Sequence, residues 1–187
     1  MNRKIRADLF RYDALSGRRG LWKGLLIPGF RFLYIHRTLS ISKKNSFKWL
    51  FFSFLKHRYS FKYGFQIPTQ TEIGEGLFIG HFGTIVINVN TKIGANCNIA
   101  HGVTIGQVNT GKFKGCPTIG NMVWIGTGVV VVGNIIVGSN VLIAPNSYVN
   151  FDIPDNSLVI GNPAKIIPRD NPTKGYINNI MELEKYQ

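Results

Sequence analysis

The sequence predicts a mainly β protein, a parallel β-helix built from hexapeptide repeats, with a small α-helical cap at its N-terminus. Three observations support this fold: a six-residue apolar repeat after residue 66, glycine or asparagine at regular places within it, and a basic, aromatic-rich first third. The 187 residues suffice for one domain with a small appendage. A hydrophobic fraction of 44% is too high for a disordered polyelectrolyte.

The repeat places isoleucine or valine at every sixth residue, with a two-residue insertion before Ile93 and a longer insertion before Ile119. The thirteen phase positions are Ile67, Ile73, Ile79, Ile85, Ile93, Ile99, Ile105, Ile119, Ile125, Val131, Val137, Ile143 and Val149. A hexad makes one strand and one turn, so three hexads close a triangular coil with the phase residue inside. Thirteen hexads predict a little over four coils. Glycine often follows the phase residue, and we expect it to serve turns with positive φ.

Composition and charge divide the chain into three segments. Residues 1–65 are a basic helical region, residues 66–169 the β-helix, and residues 170–187 a tail that is either a short helix or frayed. The first segment holds 15 of the 22 Lys and Arg residues but only two of the nine acids. It therefore carries the whole net charge of +13.

The basic segment has two interpretations. Its clearest amphipathic spacing runs through Phe47, Leu50, Phe51, Phe54 and Leu55. Helices of this composition can cap the open end of a solenoid, with their basic face in solvent, or lie on an anionic membrane surface. Nucleic acid is not an expected partner, because no recognition motif accompanies the charge.

The two cysteines, Cys97 and Cys116, do not form a disulfide framework and suit a reducing cytoplasm. We expect no metal site, because neither cysteine has the spacing of a paired ligand. No secretory signal is recognisable, and the longest apolar runs fall far short of the about 20 residues that span a bilayer. The expected location is the cytoplasm, at the inner face of the membrane if the basic segment binds lipid.

Two histidines flank the short insertion. His81 and His101 are 20 residues apart, which is one 18-residue coil plus the two inserted residues. They are therefore expected at equivalent positions on successive coils. A neutral imidazole can take a proton from an attacking hydroxyl near neutral pH, although a surface histidine without catalytic function fits the same pattern.

Short sequence blocks across nearly the whole chain match one family in its own order. The blocks are Pro28-Gly29-Phe30, His36-Arg37, residues 73–81, residues 102–106, Ile119-Gly120, Ile125-Gly126, residues 132–135 and residues 161–165. With these blocks the chain resembles the hexapeptide-repeat acyltransferases. Within that group it is similar to the serine O-acetyltransferases and to their relatives that acetylate capsular polysaccharides or exopolysaccharides. The resemblance implies a left-handed β-helix, acetyl-CoA as co-substrate and a homotrimer.

The resemblance also assigns site residues. It implies that His81 is the general base, with Gln66 or His101 to orient or assist it. The acetyl-CoA of this family lies in a groove between adjacent subunits. The matching positions here are Gly106, Gly126, Thr127, Ala144 and Pro145, with Lys165 available for a phosphate.

The departures from the family concern the acceptor. Gly80 stands where serine acetyltransferases have an aspartate before the catalytic histidine, and Cys116 falls where they have the Arg-His-Pro that grips the serine carboxylate. Gln66 replaces the aspartate that orients the histidine, while Asp13 corresponds to the family's Asp-Pro-Ala and would hold part of a serine. Lys112 or Lys114 can replace the arginine, but nothing obvious replaces the carboxylate missing at Gly80. A zwitterion without charged partners binds poorly.

These departures favour an O-acetyltransferase that acts on a sugar hydroxyl of a capsular polysaccharide or exopolysaccharide, or of its lipid-linked precursor. The first alternative is a serine O-acetyltransferase of cysteine biosynthesis with an atypical pocket. The second is a non-catalytic β-helix that binds anionic glycan or membrane through its basic cap. The fold by itself does not choose among them.

Overall fold

The computed structural model describes residues 1–181, and within them four helices precede fifteen short strands. The helices are α1 Arg3–Phe10, α2 Gly17–Leu26, α3 Pro28–Ser40 and α4 Phe47–Tyr63. The strands are β1 Phe65–Gln66, β2 Glu72–Ile73, β3 Phe78–Ile79, β4 Ile85–Ile87, β5 Lys92–Ile93, β6 Asn98–Ile99, β7 Thr104–Gly106, β8 Thr118–Ile119, β9 Val123–Ile125, β10 Val130–Val132, β11 Ile136–Val137, β12 Val141–Ile143, β13 Tyr148–Val149, β14 Ser157–Ile160 and β15 Lys165–Pro168.

The strands form the three sides of a prism, a left-handed β-helix of about five turns. Sheet A has the order β1-β4-β7-β10-β13, and sheet B has the order β2-β5-β8-β11. Sheet C contains β3, β6, β9, β12 and β14 in parallel, and β15 closes it as an antiparallel edge strand. The predicted fold is confirmed, with somewhat more than the expected four coils.

The core of the prism is made by the repeat. Every one of the thirteen phase residues is buried, with at most 4% of its surface exposed. Because strands that follow one another in a sheet are one coil apart, each phase residue packs directly above its equivalent, as the pairs Ile79–Ile99 and Ile99–Ile125 show. Burial of branched apolar side chains at this spacing is what makes six residues the structural unit.

The glycines that follow the phase residues have a different function from the predicted one. At the corner between sheets B and C, a Cβ on Gly94 would lie 2.4 Å from the carbonyl oxygen of Gly120. Close stacking of backbones therefore requires glycine there. The positive φ angles of this corner occur two residues later, at Gly76, Asn96, Met122 and Asn140.

The helical cap covers the N-terminal end of the prism mainly with α3. Phe32 and Leu33 join the core of the solenoid, together with Tyr63 at the end of α4. The apolar stripe that the sequence analysis singled out on α4 points the other way, since Phe47 is 86% exposed and Phe54 is 64% exposed. This stripe therefore does not serve the cap. No described helix is both long and apolar enough to cross a membrane.

The C-terminal tail lies against the outside of sheet C. The ring of Tyr176 packs on Trp124 at 5.0 Å between centroids, and the side chain of Asn98 donates to the Tyr176 carbonyl at 3.0 Å. Residues 170–181 contain turns and no helix. The rest of the proposed terminal segment, residues 182–187, lies outside the described residues.

We predict a pH-dependent loss of stability from His36, which α3 buries. Burial, reinforced by the positive charges of Lys56, Arg37 and Lys4, lowers the pKa of His36 from 6.5 to about 3. Below about pH 6.5 the imidazole of His36 is therefore protonated in the unfolded chain but stays neutral in the folded chain. The free energy of unfolding should fall by about 2 kcal/mol from this residue between about pH 7 and about pH 5.

Denaturant unfolding of the parent and of His36→Gln at both pH values checks this prediction. The variant lacks the imidazole, so the difference between the two proteins should shift in the variant's favour at the lower pH. A difference that stays constant across this range would contradict the prediction.

Candidate active site

The turns between sheets C and A form one corner of the prism, which we call the histidine corner. It comprises residues 80–84, 100–103, 126–129 and 144–147. Because Ile79, Ile99, Ile125 and Ile143 are paired in register, the residues that follow them are stacked as well. Two places after these isoleucines stand, in order along the corner, His81, His101, Thr127 and Pro145.

The two histidines are neighbours on successive coils. Their ring centroids are 5.9 Å apart and the rings are nearly perpendicular, so the edge of one imidazole faces the other. Both side chains are exposed at the corner. The proximity expected from their spacing in the sequence is therefore present.

The turn that holds His81 differs from the turns stacked on it. Lower turns of the corner use positive φ at Gly102, Gly128 and Asn146, three places after the paired isoleucine. In the turn that holds His81, the positive φ occurs four places after Ile79, at Gly83, whose φ is 139°. Glycine is needed there also for space, since a Cβ would lie 3.0 Å from the Cβ of His101. Phe82, in this turn, is 66% exposed.

Most positions assigned to the donor lie in the same corner. Gly126 and Ala144 occupy the position of Gly80 on later coils. Because Ile143 pairs with Val159, the next residue, Ile160, stacks beside Ala144. Ile160 in turn pairs with Lys165. Lys165 is five strands away from the turn that holds His81, so rungs about 4.8 Å apart place it about 24 Å along the corner. Gly126 has no room for a side chain, because a Cβ would lie 2.8 Å from the Pro145 nitrogen.

Gly106 is separate from this group. It ends β7 and pairs with Val132 at the opposite edge of sheet A. The long insertion begins there and folds back on itself, with Val108 and Gly115 exchanging backbone hydrogen bonds of 2.9 and 3.0 Å. Cys116 follows this loop, at the corner between sheets A and B. A single chain therefore does not bring Cys116 to His81.

Cys116 is half-buried beside Gln107, with 3.8 Å between Sγ and Oε1. Its partial burial raises the pKa of the thiol. A thiol with a raised pKa is mostly protonated at neutral pH and is a poor nucleophile. This environment does not favour a covalent acyl-cysteine step.

The remaining predicted site residues lie near the first coil. Gln66 is exposed on the outer face of β1 and pairs with Val86 of β4, the strand that follows the His81 turn. Asp13 lies in the turn after α1, with φ of 52°, and lines a cavity of about 300 Å³ together with Phe78 and Asn98 of sheet C. Within the described residues, no group of three His, Cys, Asp or Glu side chains is placed to hold a metal ion.

The sequence analysis missed the polar contacts that position the strand before His81. The hydroxyl of Tyr12 donates to the Ile79 carbonyl at 3.0 Å, and the Ile79 N–H donates to the same hydroxyl at 3.2 Å. Gly29, at the start of α3, packs so closely that a Cβ would collide with the Ile79 carbonyl oxygen. The matched Pro28-Gly29-Phe30 block therefore has a structural reason: it allows α3 to begin directly against β3.

A buried ion pair completes this attachment. The Arg37 guanidinium donates to the Asp8 carboxylate at 2.9 Å, and also to the carbonyls of Ile73 and Gly74 at 2.8 and 2.5 Å. The other Asp8 oxygen accepts from the Leu77 N–H at 2.9 Å. The side chains of Asp8 and Arg37 are 1% and 6% exposed. These contacts join residues that are far apart in the sequence, so no local sequence pattern predicts them.

Comparison with known proteins shows the family to which this chain belongs. The family described as bacterial transferase hexapeptide (six repeats) matches residues 116–150. The serine acetyltransferase of Helicobacter pylori is 40% identical over 155 residues, which cover 81% of this chain and 89% of that protein. The serine acetyltransferase of Synechococcus elongatus is 34% identical over 161 residues, 82% of this chain and 63% of that protein.

Solved structures agree. The Neisseria gonorrhoeae serine acetyltransferase in complex with serine matches with a TM-score of 0.70 and 32% identity, covering 88% of this chain and 67% of that one. The Brucella abortus serine acetyltransferase in complex with coenzyme A matches with a TM-score of 0.73 and 31% identity, covering 89% and 67%. The chain is a hexapeptide-repeat transferase, and within that class it belongs to the serine acetyltransferase family.

This membership confirms the prediction of an acyltransferase enzyme with acetyl-CoA as its co-substrate. It does not support the preference for a polysaccharide acceptor, because the relatives are named for serine. The comparisons thus favour the serine alternative of the sequence analysis.

We predict that Tyr12→Phe loosens the strand that precedes His81. The change removes one hydroxyl and leaves the buried N–H and carbonyl of Ile79 without this partner, so the free energy of unfolding should fall by about 1–3 kcal/mol. Hydrogen exchange of the Ile79 amide should also become faster.

Tyr34→Phe is the matched control, because Tyr34 lies on the same cap and its hydroxyl makes no side-chain hydrogen bond within the described residues. Equal effects of the two substitutions would contradict the positioning role of Tyr12.

Proposed function

We propose that this protein transfers the acetyl group of acetyl-CoA to the hydroxyl of an acceptor, with His81 as general base. The observation that carries the proposal is the composition of the histidine corner. An exposed imidazole stands on its first coil, and the positions assigned to the donor follow it on the lower coils.

The chemistry follows from this placement. His81 takes the proton of the acceptor hydroxyl, and the hydroxyl oxygen attacks the thioester carbonyl. The resulting oxyanion is stabilised by a backbone N–H of the corner. Collapse of the tetrahedral intermediate breaks the C–S bond, and the imidazolium returns its proton to the leaving thiolate. His101, whose ring is 5.9 Å away, orients the first imidazole or shares its positive charge.

The active unit that we propose is a homotrimer. Cys116 and Gly106 belong to the edge of the prism between sheets A and B, whereas His81 belongs to the edge between sheets C and A. A symmetric ring of prisms brings the first edge of one protomer against the second edge of its neighbour. The donor groove then lies between protomers, and each site uses two chains.

L-Serine is the first acceptor that we propose. Relatives of 34–40% identity are named serine acetyltransferases, and one matching structure contains serine. Asp13 supplies a carboxylate near the first coil, in a cavity that reaches the outer face of β3.

A sugar hydroxyl is the second acceptor, and it is favoured by the side chains at the site. Gly80 offers no carboxylate beside His81, and Cys116 offers no positive charge in the long loop. A free amino acid would leave its ammonium group without a carboxylate at position 80, which costs binding energy, and its carboxylate would rely on the exposed Lys112 or Lys114 of the long loop. A neutral hydroxyl acceptor needs neither.

Replacement of His81 by alanine tests the base. Thiol release from acetyl-CoA in the presence of an accepted alcohol should fall by about two to four orders of magnitude in kcat. Calorimetric binding of coenzyme A and the oligomeric state should not change. The control is His57→Ala on α4, an exposed histidine outside the corner, which should keep its activity. Undiminished turnover by the His81 variant would refute the assignment.

The acceptor is tested by assaying L-serine and oligosaccharides with the parent, Gly80→Asp and Gly80→Asn. A new carboxylate at position 80 pairs with the ammonium group of serine, so Gly80→Asp should raise kcat/KM for serine about tenfold over Gly80→Asn. The nearest atoms to a Cβ at this position belong to the Phe78 ring, the first of them at 3.0 Å. High serine turnover by the parent supports the first acceptor. Turnover with oligosaccharide alone supports the second, and equal effects of the two variants contradict the pairing.

A further inference from the structure

One face of α4 exposes five large apolar side chains to solvent. We call it the aromatic face, and its members are 50–86% exposed: Phe47, Leu50, Phe51, Phe54 and Phe61. Phe47, Leu50, Phe51 and Phe54 recur at the spacing of a helical stripe and form one apolar strip. Phe61 lies two turns further along the same side, with exposed Arg58 between it and Phe54. A contiguous apolar surface of this kind marks a site of interaction.

The charges around the aromatic face are all positive. Lys48, Arg58 and Lys62 are exposed on α4, and neither α2, α3 nor α4 contains an Asp or Glu residue. Of the two acids in residues 1–65, Asp8 is buried against Arg37 and Asp13 lies in the turn after α1. The excess charge of the chain is therefore uncompensated around this helix.

The opposite side of α4 is already occupied. Tyr63 is buried in the core of the solenoid, and its hydroxyl accepts a hydrogen bond of 2.8 Å from Arg31 of α3. Tyr59 stacks on Tyr63 with 5.2 Å between ring centroids. Because α3 and the solenoid fix the helix, the aromatic face is held in place without a partner, and binding through it carries little ordering cost.

We propose that α4 docks this protein on an anionic lipid surface through the aromatic face. A helix with aromatic side chains on one side and Lys or Arg along its borders is suited to the boundary between headgroups and acyl chains. The cytoplasmic leaflet supplies the negative charge that matches the basic segment. At 17 residues, α4 lies along about 25 Å of such a surface.

A second copy of this chain fits the aromatic face less well. Two such faces brought together would place Lys48, Arg58 and Lys62 of one copy near the same residues of another. The helix contains no acid to compensate these positive charges. Like charges in contact disfavour association. The lipid surface has the opposite sign and relieves this repulsion.

Docking also relates to the proposed active site. The C-terminal end of α4 is hydrogen-bonded to the turn that holds His81: the Gly83 N–H donates to the Tyr63 carbonyl at 2.9 Å, and the Ile85 N–H to the Gly64 carbonyl at 3.0 Å. A protein bound through α4 therefore presents its first coil, with His81, towards the lipid surface.

Vesicle sedimentation with the full chain tests the proposal. The protein should sediment with vesicles of phosphatidylcholine and phosphatidylglycerol but not with phosphatidylcholine alone, and added salt should weaken the association. The double variant Phe51→Ser/Phe54→Ser should reduce the partition coefficient at least about tenfold. The control is Ile136→Ser, since Ile136 is equally apolar and 63% exposed but lies on β11 of the solenoid. This control should bind like the parent.

Two charge variants test the same proposal if Phe51→Ser/Phe54→Ser does not fold. Lys48→Ser and Arg58→Ser change exposed side chains, and each should lower binding to anionic vesicles about fivefold. Absence of binding by the parent, or binding that these variants leave unchanged, overturns the proposal. Sedimentation equilibrium is run in parallel. If Phe51→Ser/Phe54→Ser converts an oligomer into monomers, the aromatic face is an interface between copies and the proposal is wrong.

Discussion

Burial of one branched side chain at every sixth residue determines the position of every other functional group in this protein. Because each phase residue packs on its equivalent one coil away, all residues at a given offset from it form a straight column along the prism. The histidine corner is such a column. His81, His101, Thr127 and Pro145 come together although the first and last are more than sixty residues apart in sequence. A single loss of register within the repeat would separate them.

The helical cap packs on this prism and provides hydrogen bonds to the backbone of its first coil. Asp8, Tyr12 and Arg37 place their polar atoms on the backbone of the first coil, which has no preceding coil to pair with. Hydrogen bonds from side chains there replace the strand contacts that the lower coils receive from one another. The coil with the proposed general base is thus the one held by the cap.

The sequence predicted the features that the periodicity controls. The thirteen core residues and the proximity of the two histidines follow from counting residues, because a solenoid converts sequence distance into spatial distance. Other features depend on contacts that counting does not reveal. The apolar stripe of α4 looks like a face that packs on the core, but Tyr59 and Tyr63 on the other side make that contact. The stacked glycines are needed for backbone clearance, which depends on the neighbouring coil. The acceptor depends on side chains that this chain lacks and, in the proposed trimer, on a neighbouring protomer.

The claim central to this account is that the histidine corner holds the donor with its reactive end beside His81. A crystal structure of the protein with coenzyme A tests it most directly. The account predicts the pantetheine chain along the corner, past Ala144 and Gly126, with the thiol sulfur near the imidazole of His81. Coenzyme A bound along another corner of the prism, with its sulfur remote from that imidazole, would contradict it.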